Sequence, residues 1–205
     1  MFVIAGATGN VGSVAATELL GSGKPVRVIV RDSAKGERFK QQGAEVAVGT
    51  LDDVDFLSSA LTDADAAFLL VPPNFATDDY PAYQRDITDA ICKAVSNSKV
   101  PHVVALSSMG ADQTGGLGPI VGLNYFEQRL MVTGSKLSVL RPGFFMENLA
   151  ETLEPARKQG IYPSFFPQDL AMPMIATRDI GAEVARAMLT PPDGNQVVDL
   201  VGPAY

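Results

Sequence analysis

The first twelve residues constrain the fold of this chain more than any other segment. An apolar run at residues 2–5 precedes Gly6, Gly9 and Gly12, and an apolar periodicity starts at Val11. These patterns predict a buried strand, a tight turn and a helix. A helix N-terminus carries unpaired N–H groups and a partial positive charge, so it attracts anions. The arrangement predicts a dinucleotide site: Gly6 turns the chain, Gly9 leaves room for phosphate, and Gly12 lets the helix pack close to the strand. The alternative is an ordinary turn between a strand and a helix.

Short apolar segments alternate with helical patterns as far as residue 145. We predict strands at 26–30, 44–48, 66–71, 102–106 and 137–140, and helices at 34–42, 53–61, 80–98 and 123–133. This alternation indicates a parallel sheet covered on both faces. The predicted fold class is therefore α/β, a Rossmann-type doubly wound parallel sheet. Ligands of such sheets bind beyond the carboxyl ends of the strands, so the residues that follow each strand are the site candidates.

The alternation loosens in the last third of the chain. Residues 162–167 are aromatic and proline-rich, which is typical of a loop or a cap rather than a layer. Weaker patterns predict a strand at 172–175, a helix at 178–189 and a last strand at 197–201. We expect one domain over 1–205, in which 145–205 contribute a short C-terminal substrate cap.

Composition excludes several classes of function. The formal net charge of −7 argues against nucleic-acid binding, which requires a basic face. The only histidine, His102, and the only cysteine, Cys92, make a metal site improbable, and Cys92 is expected to be buried rather than catalytic. No apolar run is long enough to cross a bilayer, and the chain opens directly with a strand. We therefore expect a cytoplasmic protein without a signal peptide.

Arg31 follows the second predicted strand, where the adenosine ribose of a dinucleotide is expected. An acidic residue there selects NAD, whereas an arginine pairs with the 2′-phosphate of NADP. Arg31 therefore favours NADP(H), although Asp32 follows at once and a solvated strand-end charge is the alternative.

Other strand ends carry polar residues with two interpretations each. Leu51 follows the third strand and is expected to wall the adenine, and Asp52 either contacts the base or caps a helix. Ser107 and Ser108 end the fifth strand, where a hydroxyl either orients the nicotinamide or simply terminates the strand. Tyr125 lies one helical turn before Arg129. Either the arginine lowers the pKa of the Tyr125 phenol and makes it a proton donor, or the two side chains simply pack together on the surface.

Several segments together resemble the NmrA-like branch of the atypical short-chain dehydrogenases. They are Gly6-Ala-Thr-Gly-Asn-Val-Gly12, Val30-Arg31-Asp32, Leu70-Val-Pro-Pro73, Leu106-Ser-Ser-Met-Gly-Ala111, Glu127, Arg141-Pro-Gly-Phe-Phe-Met-Glu-Asn148, Thr177-Arg178-Asp179-Ile180-Gly181 and Val201-Gly202-Pro203. The resemblance covers nearly the whole chain, and 141–148 is its most specific part. It implies a Rossmann fold that binds NADP(H), with quinone oxidoreductases, azo-dye reductases, isoflavone-type reductases and non-catalytic redox sensors as members.

The resemblance also implies positions for the cofactor contacts. Diphosphate contacts fall on Gly6, Thr8, Gly9, Asn10 and Val11, the 2′-phosphate on Arg31, the ribose and nicotinamide on Val71, Pro72, Ser107 and Ser108, and the nicotinamide side on Pro142, Gly143 and Phe144. The Tyr-x-x-x-Lys pair of short-chain dehydrogenases is absent, because no lysine lies between Lys99 and Lys136. No catalytic residue is therefore assigned.

Three functions fit these observations. The leading one is an NADPH-dependent oxidoreductase that transfers hydride to a quinone-like or other conjugated small acceptor. Such an acceptor needs no strong protein acid, and Phe144, Phe145, Phe165 and Phe166 are a candidate aromatic wall for it. The alternatives are an NADP(H)-binding redox sensor that contacts a protein partner, and a flavin-reductase-like enzyme. A homodimer is possible for each.

Overall fold

A computed structural model of the protein describes residues 1–113, 116, 118–162, 164, 166–167 and 169–203, without the side chains of residues 151 and 152. Phe165, one of the four predicted wall residues, lies outside the described residues.

A seven-stranded parallel sheet forms the centre of the described chain. Its strands are β1 (Phe2–Ile4), β2 (Val26–Val30), β3 (Glu45–Val48), β4 (Ala66–Leu70), β5 (His102–Leu106), β6 (Lys136–Pro142) and β9 (Gln196–Leu200). They lie in the order β3-β2-β1-β4-β5-β6-β9. The chain runs outward from β1 to β3 and then crosses back to β4, so β1 and β4 flank the point where the winding reverses. The predicted doubly wound Rossmann-type sheet is confirmed, and ligands of such sheets bind at this point.

Helices cover both faces of the sheet. On one face lie α3 (Val54–Leu61), α4 (Tyr80–Ser98) and α5 (Val121–Met131), whose apolar sides include Leu57, Ile91 and Phe126. On the other face lie α1 (Asn10–Gly21), α2 (Ser33–Gln41) and α7 (Thr177–Leu189), which bury Leu19, Phe39 and Val184. Strands buried on both faces explain why the sequence shows near-continuous apolar runs instead of an alternating pattern.

The C-terminal region contains structure that the sequence pattern did not predict. A 3-10 turn (Met146–Leu149) leads into α6 (Ala150–Gln159), which contains Pro155. Two short strands, β7 (Phe144–Phe145) and β8 (Met174–Ile175), pair in a separate parallel sheet. The sequence analysis assigned no element to residues 146–161, because a polar helix with an internal proline shows neither apolar periodicity nor good helix propensity.

Candidate cofactor site

The turn between β1 and α1 leaves the start of α1 free to bind an anion. Gly6 adopts a left-handed conformation with φ of 63° and begins the turn, and Gly9 precedes the helix without a side-chain cap. The first turn of α1 carries no acidic residue. The backbone N–H groups of Asn10, Val11 and Gly12 donate to no acceptor within the described part of the chain. Thr8, Gly9 and Asn10 are exposed, so the start of the helix is accessible to an anion.

Close packing within this turn requires glycine at position 12. A β-carbon on Gly12 would lie 2.4 Å from the carbonyl oxygen of Gly6 and 3.0 Å from that of Ala5. Both distances are shorter than normal van der Waals contact, so any side chain would push α1 away from β1. The predicted role of Gly12 in close helix–strand packing is therefore confirmed.

Arg31 lies at the carboxyl end of β2 with an exposed side chain. Its guanidinium makes no hydrogen bond or ion pair with any residue that the structure describes. Asp32 has a different task, since its carboxylate accepts from the N–H of Ala34 at 2.9 Å and caps α2. The Asp32 carboxylate is thus bonded within the helix cap, and the Arg31 guanidinium at this strand end is left without a partner among the described residues.

The end of β3 lies next to the end of β2, whereas the end of β4 lies on the other side of β1. Leu51 is half-buried against the core, and Asp53, not Asp52, caps α3 by accepting from the N–H of Phe56 at 3.0 Å. Because Asp53 makes the cap, the helix-cap interpretation of Asp52 is wrong, and Asp52 is exposed. At the end of β4, Val71 is buried and Pro72 half-buried, and the Pro72 carbonyl accepts from the Tyr83 hydroxyl at 2.9 Å.

The two serines after β5 differ in what their hydroxyls face. Ser107 is buried and donates to Glu127 Oε1 at 2.5 Å. Glu127 is itself only 3% exposed and binds Arg141 through two hydrogen bonds of 2.9 and 2.6 Å. Hydrogen bonding to Glu127 raises the pKa of Arg141, which keeps the guanidinium charged. Ser108 is half-buried, and its hydroxyl donates to the Met109 carbonyl at 3.2 Å, so of the two serines it is the more accessible one.

Arg141 belongs to β6 and binds Glu127, which corrects the predicted end of this strand at residue 140. The three predicted nicotinamide-side residues come directly after it: Pro142 is buried and ends β6, and Gly143 and Phe144 are half-buried. Gly143 lies so near the next segment that a β-carbon would be 2.5 Å from the Pro173 carbonyl oxygen. Its N–H donates to the Leu200 carbonyl at 2.8 Å, so this loop is held from two sides.

Two of the predicted wall residues are in contact. The rings of Phe144 and Phe166 pack edge to face with centroids 5.7 Å apart. Phe145 faces the opposite way and packs on the core beneath α1 and α7, because successive residues of a strand point to opposite sides. Of the three predicted wall residues that the structure describes, only Phe144 and Phe166 therefore lie together.

Tyr125 is not an activated acid. Its hydroxyl donates to Asp89 at 2.9 Å, and Arg129 Nε donates to the same carboxylate at 2.9 Å. The hydrogen bond to Asp89 raises the pKa of the Tyr125 phenol. The proposed proton donor with a lowered pKa is therefore wrong, and the surface-pair alternative describes the contact.

Neither a metal site nor a membrane span is found in the described chain. Its histidine, cysteine and acidic side chains form no group of three suited to hold a metal ion. No described helix is long and apolar enough to cross a bilayer. Cys92 is buried as predicted, and burial raises the pKa of its thiol to about 12.

Sequence reasoning missed some residues near the site. Arg38 of α2 reaches back to the glycine turn, where its Nη2 donates to the Ala7 carbonyl at 3.2 Å. Phe75, Tyr80 and Tyr83 form a chain of ring contacts beyond β4. The density of aromatic residues between 75 and 83 was the available signal for this second group.

The sheet order, the glycine turn and the open first turn of α1 define a Rossmann-type NAD(P)-binding protein. The model of the NmrA-like family matches residues 1–200, and the chain belongs to this family. Among curated proteins, it is 29% identical over 206 residues to the NAD(P)H azoreductase of Xenophilus azovorans, covering 99% of this chain and 68% of that one.

Solved structures show the same fold. The NADPH-dependent quinone oxidoreductase QOR2 of Escherichia coli, complexed with NADPH, superposes with a TM-score of 0.84 at 25% identity, over 100% of this chain and 70% of that one. The triphenylmethane reductase of Citrobacter sp., complexed with NADP(H), gives 0.82 at 17% identity, over 98% and 70%. The cofactors in these two structures agree with the NADP(H) that the sequence predicts.

Proposed function

We propose that this protein is an NADPH-dependent reductase that transfers hydride to a quinone-like or other conjugated small acceptor. The observation that carries the proposal is the pairing of two open groups: the unbonded N–H groups of the first turn of α1, and the unpaired Arg31 at the next strand end. A diphosphate and a 2′-phosphate on one nucleotide match these two groups. The azoreductase and the quinone oxidoreductase among its relatives support the choice of acceptor.

The chain's own residues offer a group for each part of the cofactor, NADP(H). In this proposal the N–H groups of the glycine turn bind the diphosphate and Arg31 binds the 2′-phosphate. Leu51 lies beside the adenine, and Val71 and Pro72 lie beside the ribose and the nicotinamide. Ser108, Pro142, Gly143 and Phe144 lie beside the nicotinamide half, and the buried Ser107 hydroxyl next to them is bonded to Glu127.

The reduced nicotinamide, when bound, supplies a hydride, and a quinone becomes a hydroquinone after it takes that hydride and one proton from water. No protein acid is required, since the quinone oxygens delocalise the charge. This chemistry suits a site in which Tyr125 is bonded to Asp89. The protein contributes binding and orientation, and the Phe144–Phe166 contact offers a flat apolar surface for a conjugated ring.

A redox sensor is the second candidate, because the described site holds an anion-binding turn without a proton donor near it. Such a protein would bind NADPH or NADP tightly and turn over neither. Its affinity for a protein partner would change with the ratio of NADPH to NADP.

Steady-state oxidation of NADPH separates the candidates. We expect turnover with a panel of quinones and azo dyes, and slower or no turnover with free flavin. Micromolar or tighter NADPH binding without turnover on any acceptor would favour the sensor, and turnover on flavin alone would favour a flavin reductase.

A further inference from the structure

One buried carboxylate joins the ends of two neighbouring strands to a helix. Within the described chain, Glu127 of α5 is 3% exposed and accepts three hydrogen bonds. The Ser107 hydroxyl donates to its Oε1 at 2.5 Å, and Arg141 donates to Oε1 from Nε at 2.9 Å and to Oε2 from Nη2 at 2.6 Å. Ser107 directly follows β5, and Arg141 is the last residue but one of β6. The position of each strand end therefore depends on Glu127.

The segment after β5 is held at further points. Asn124, three residues before Glu127 on the same helix, donates from Nδ2 to the Ala111 carbonyl at 2.7 Å. The N–H of Met109 donates to the Pro142 carbonyl at 3.0 Å. This segment is thus tied both to α5 and to the end of β6, and the contacts of Glu127 belong to a connected set.

Stability alone is a weak reason to bury these charges. Replacing a buried ion pair by well-packed apolar side chains is often neutral or stabilising. A hydrogen-bonded pair does what an apolar pair cannot, because the planar guanidinium of Arg141 matches both carboxylate oxygens and fixes direction as well as distance. The residue types therefore indicate that the Glu127–Arg141 pair supplies geometry.

The two segments that Glu127 joins carry residues that the proposed function assigns to the nicotinamide half. Ser108 follows Ser107 in the chain, and Pro142 follows Arg141. In that placement the nicotinamide lies between two segments whose separation the carboxylate sets. Hydride transfer requires the reacting atoms to be about 3–3.5 Å apart and aligned, and a misplacement of about 1 Å can cost about 100-fold in rate.

We propose that Glu127 is a positioning residue for hydride transfer, holding Ser107 and Arg141 so that the two strand ends flank the nicotinamide at a fixed separation. This inference rests on the proposed function and on its placement of the nicotinamide half. Because Glu127 is buried, it acts through its two partners and not by touching the cofactor or the acceptor. The Ser107 hydroxyl then contributes by bonding to Glu127, which differs from the direct nicotinamide contact expected from the sequence.

The mildest variant is Ser107→Ala, which removes one of the three bonds to Glu127 and leaves the other two, so it should fold. In single-turnover reactions with NADPH and a benzoquinone, we expect it to slow hydride transfer roughly 3- to 10-fold. Ser138→Ala is the matched control, because the buried Ser138 hydroxyl is hydrogen-bonded to His102 and Gln196 at 3.1 and 3.0 Å. This control should lose stability without slowing the hydride step.

The double variant Glu127→Leu, Arg141→Met separates stability from positioning. It removes both charges and keeps large apolar side chains, so urea unfolding should show most of the parent's stability. Hydride transfer should remain at least about tenfold slower than in the parent, because neither new side chain fixes the separation of the strand ends. A pair that serves stability alone would instead regain the parental rate together with the parental stability.

Binding measurements test the same inference without turnover. NADP carries both halves of the cofactor, whereas 2′,5′-ADP carries the adenine and the 2′-phosphate without the nicotinamide. In Glu127→Gln an amide NH2 replaces one carboxylate oxygen and cannot accept a hydrogen bond from Arg141 or Ser107. We expect this variant to weaken NADP binding roughly 3- to 10-fold in calorimetry and to leave 2′,5′-ADP binding unchanged.

Four results would overturn the inference. They are a parental hydride-transfer rate in Ser107→Ala, an equal slowing in Ser138→Ala, a parental rate in the double variant, and equal losses of NADP and 2′,5′-ADP affinity in Glu127→Gln. Each can occur while the parent oxidises NADPH with quinones, so the failure of this inference is distinguishable from failure of the proposed reductase. A parent without turnover would count against the reductase, and the two binding measurements would still decide the role of Glu127.

Discussion

The α-carbon of Gly12 lies so close to Gly6 that an added β-carbon would be 2.4 Å from the Gly6 carbonyl oxygen. This contact fixes the distance between the end of β1 and the start of α1. It therefore fixes the position of the unbonded N–H groups that we assign to the diphosphate.

Replacing Gly12 should damage binding and stability together. We expect Gly12→Ala to lower NADPH affinity at least about tenfold and the free energy of unfolding by about 1–3 kcal/mol, the usual cost of overpacking. Gly21→Ala is the control, because Gly21 ends the same helix and nothing lies within 4 Å of an added β-carbon. Calorimetry and urea unfolding measure both effects, and equal behaviour of the two variants would contradict the packing argument.

Arg31 should discriminate between the two nicotinamide cofactors. We expect Arg31→Ala to cost about 1.5–3 kcal/mol of NADPH binding, the scale of a charge-assisted hydrogen bond, and to leave NADH binding almost unchanged. Lys24→Ala removes an exposed cation near the opposite end of β2 and should affect neither. Equal losses for NADPH and NADH in Arg31→Ala would refute the assignment of the 2′-phosphate.

Tyr125 should be dispensable for turnover. Because its hydroxyl donates to Asp89 and its pKa is raised, we expect Tyr125→Phe to keep kcat for quinones within about twofold of the parent. A loss of a hundredfold, in the range of general acid catalysis, would show that the tyrosine protonates the product after all.

The stability of the fold should depend on Glu127 and Arg141 being present together. Glu127→Ala leaves the Arg141 guanidinium, which is 16% exposed, without its main partner, and should cost about 3–5 kcal/mol of unfolding free energy. The double variant Glu127→Leu, Arg141→Met removes both charges and should recover much of that loss. Urea unfolding of the single variants Glu127→Leu and Arg141→Met and of the double variant measures the coupling. Additive losses would mean that the ion pair contributes nothing specific.

Stability should fall in mild acid because of His102. Burial and the nearby charge of Lys136 lower the pKa of this histidine from 6.5 to about 4. Between those values the unfolded chain binds a proton that the folded chain does not, so stability drops as pH falls, by up to about 1.4 kcal/mol per pH unit. His102→Gln should have a shallower slope between pH 6.5 and 5. As His102 is the only histidine, one NMR resonance reports its titration, and a midpoint near 6.5 would contradict the prediction.

The regular elements up to residue 145 could be predicted because their signals are local. Predicted strands 26–30 and 102–106 and helix 80–98 agree with the structure to the residue, and the glycine turn has its expected place. Apolar runs and glycine spacing reflect burial and backbone geometry directly, so neighbouring residues contain the information. Helix α6 fails this condition, since it is polar and contains Pro155.

The sequence by itself determined the doubly wound sheet and the anion-binding turn, since both follow from short-range patterns. Only the tertiary structure decided which side chains meet. Ser107 and Glu127 are 20 positions apart, and Asp89 and Tyr125 are 36 apart. Those pairings change what each group does: the Ser107 hydroxyl is hydrogen-bonded to Glu127, and Tyr125 is stabilised in its protonated form. The stacking of the exposed Phe75 ring on Tyr80 is likewise a contact that only the fold creates. Hydrogen bonding and burial set the chemistry of a side chain, and both depend on partners that only the folded chain brings within reach.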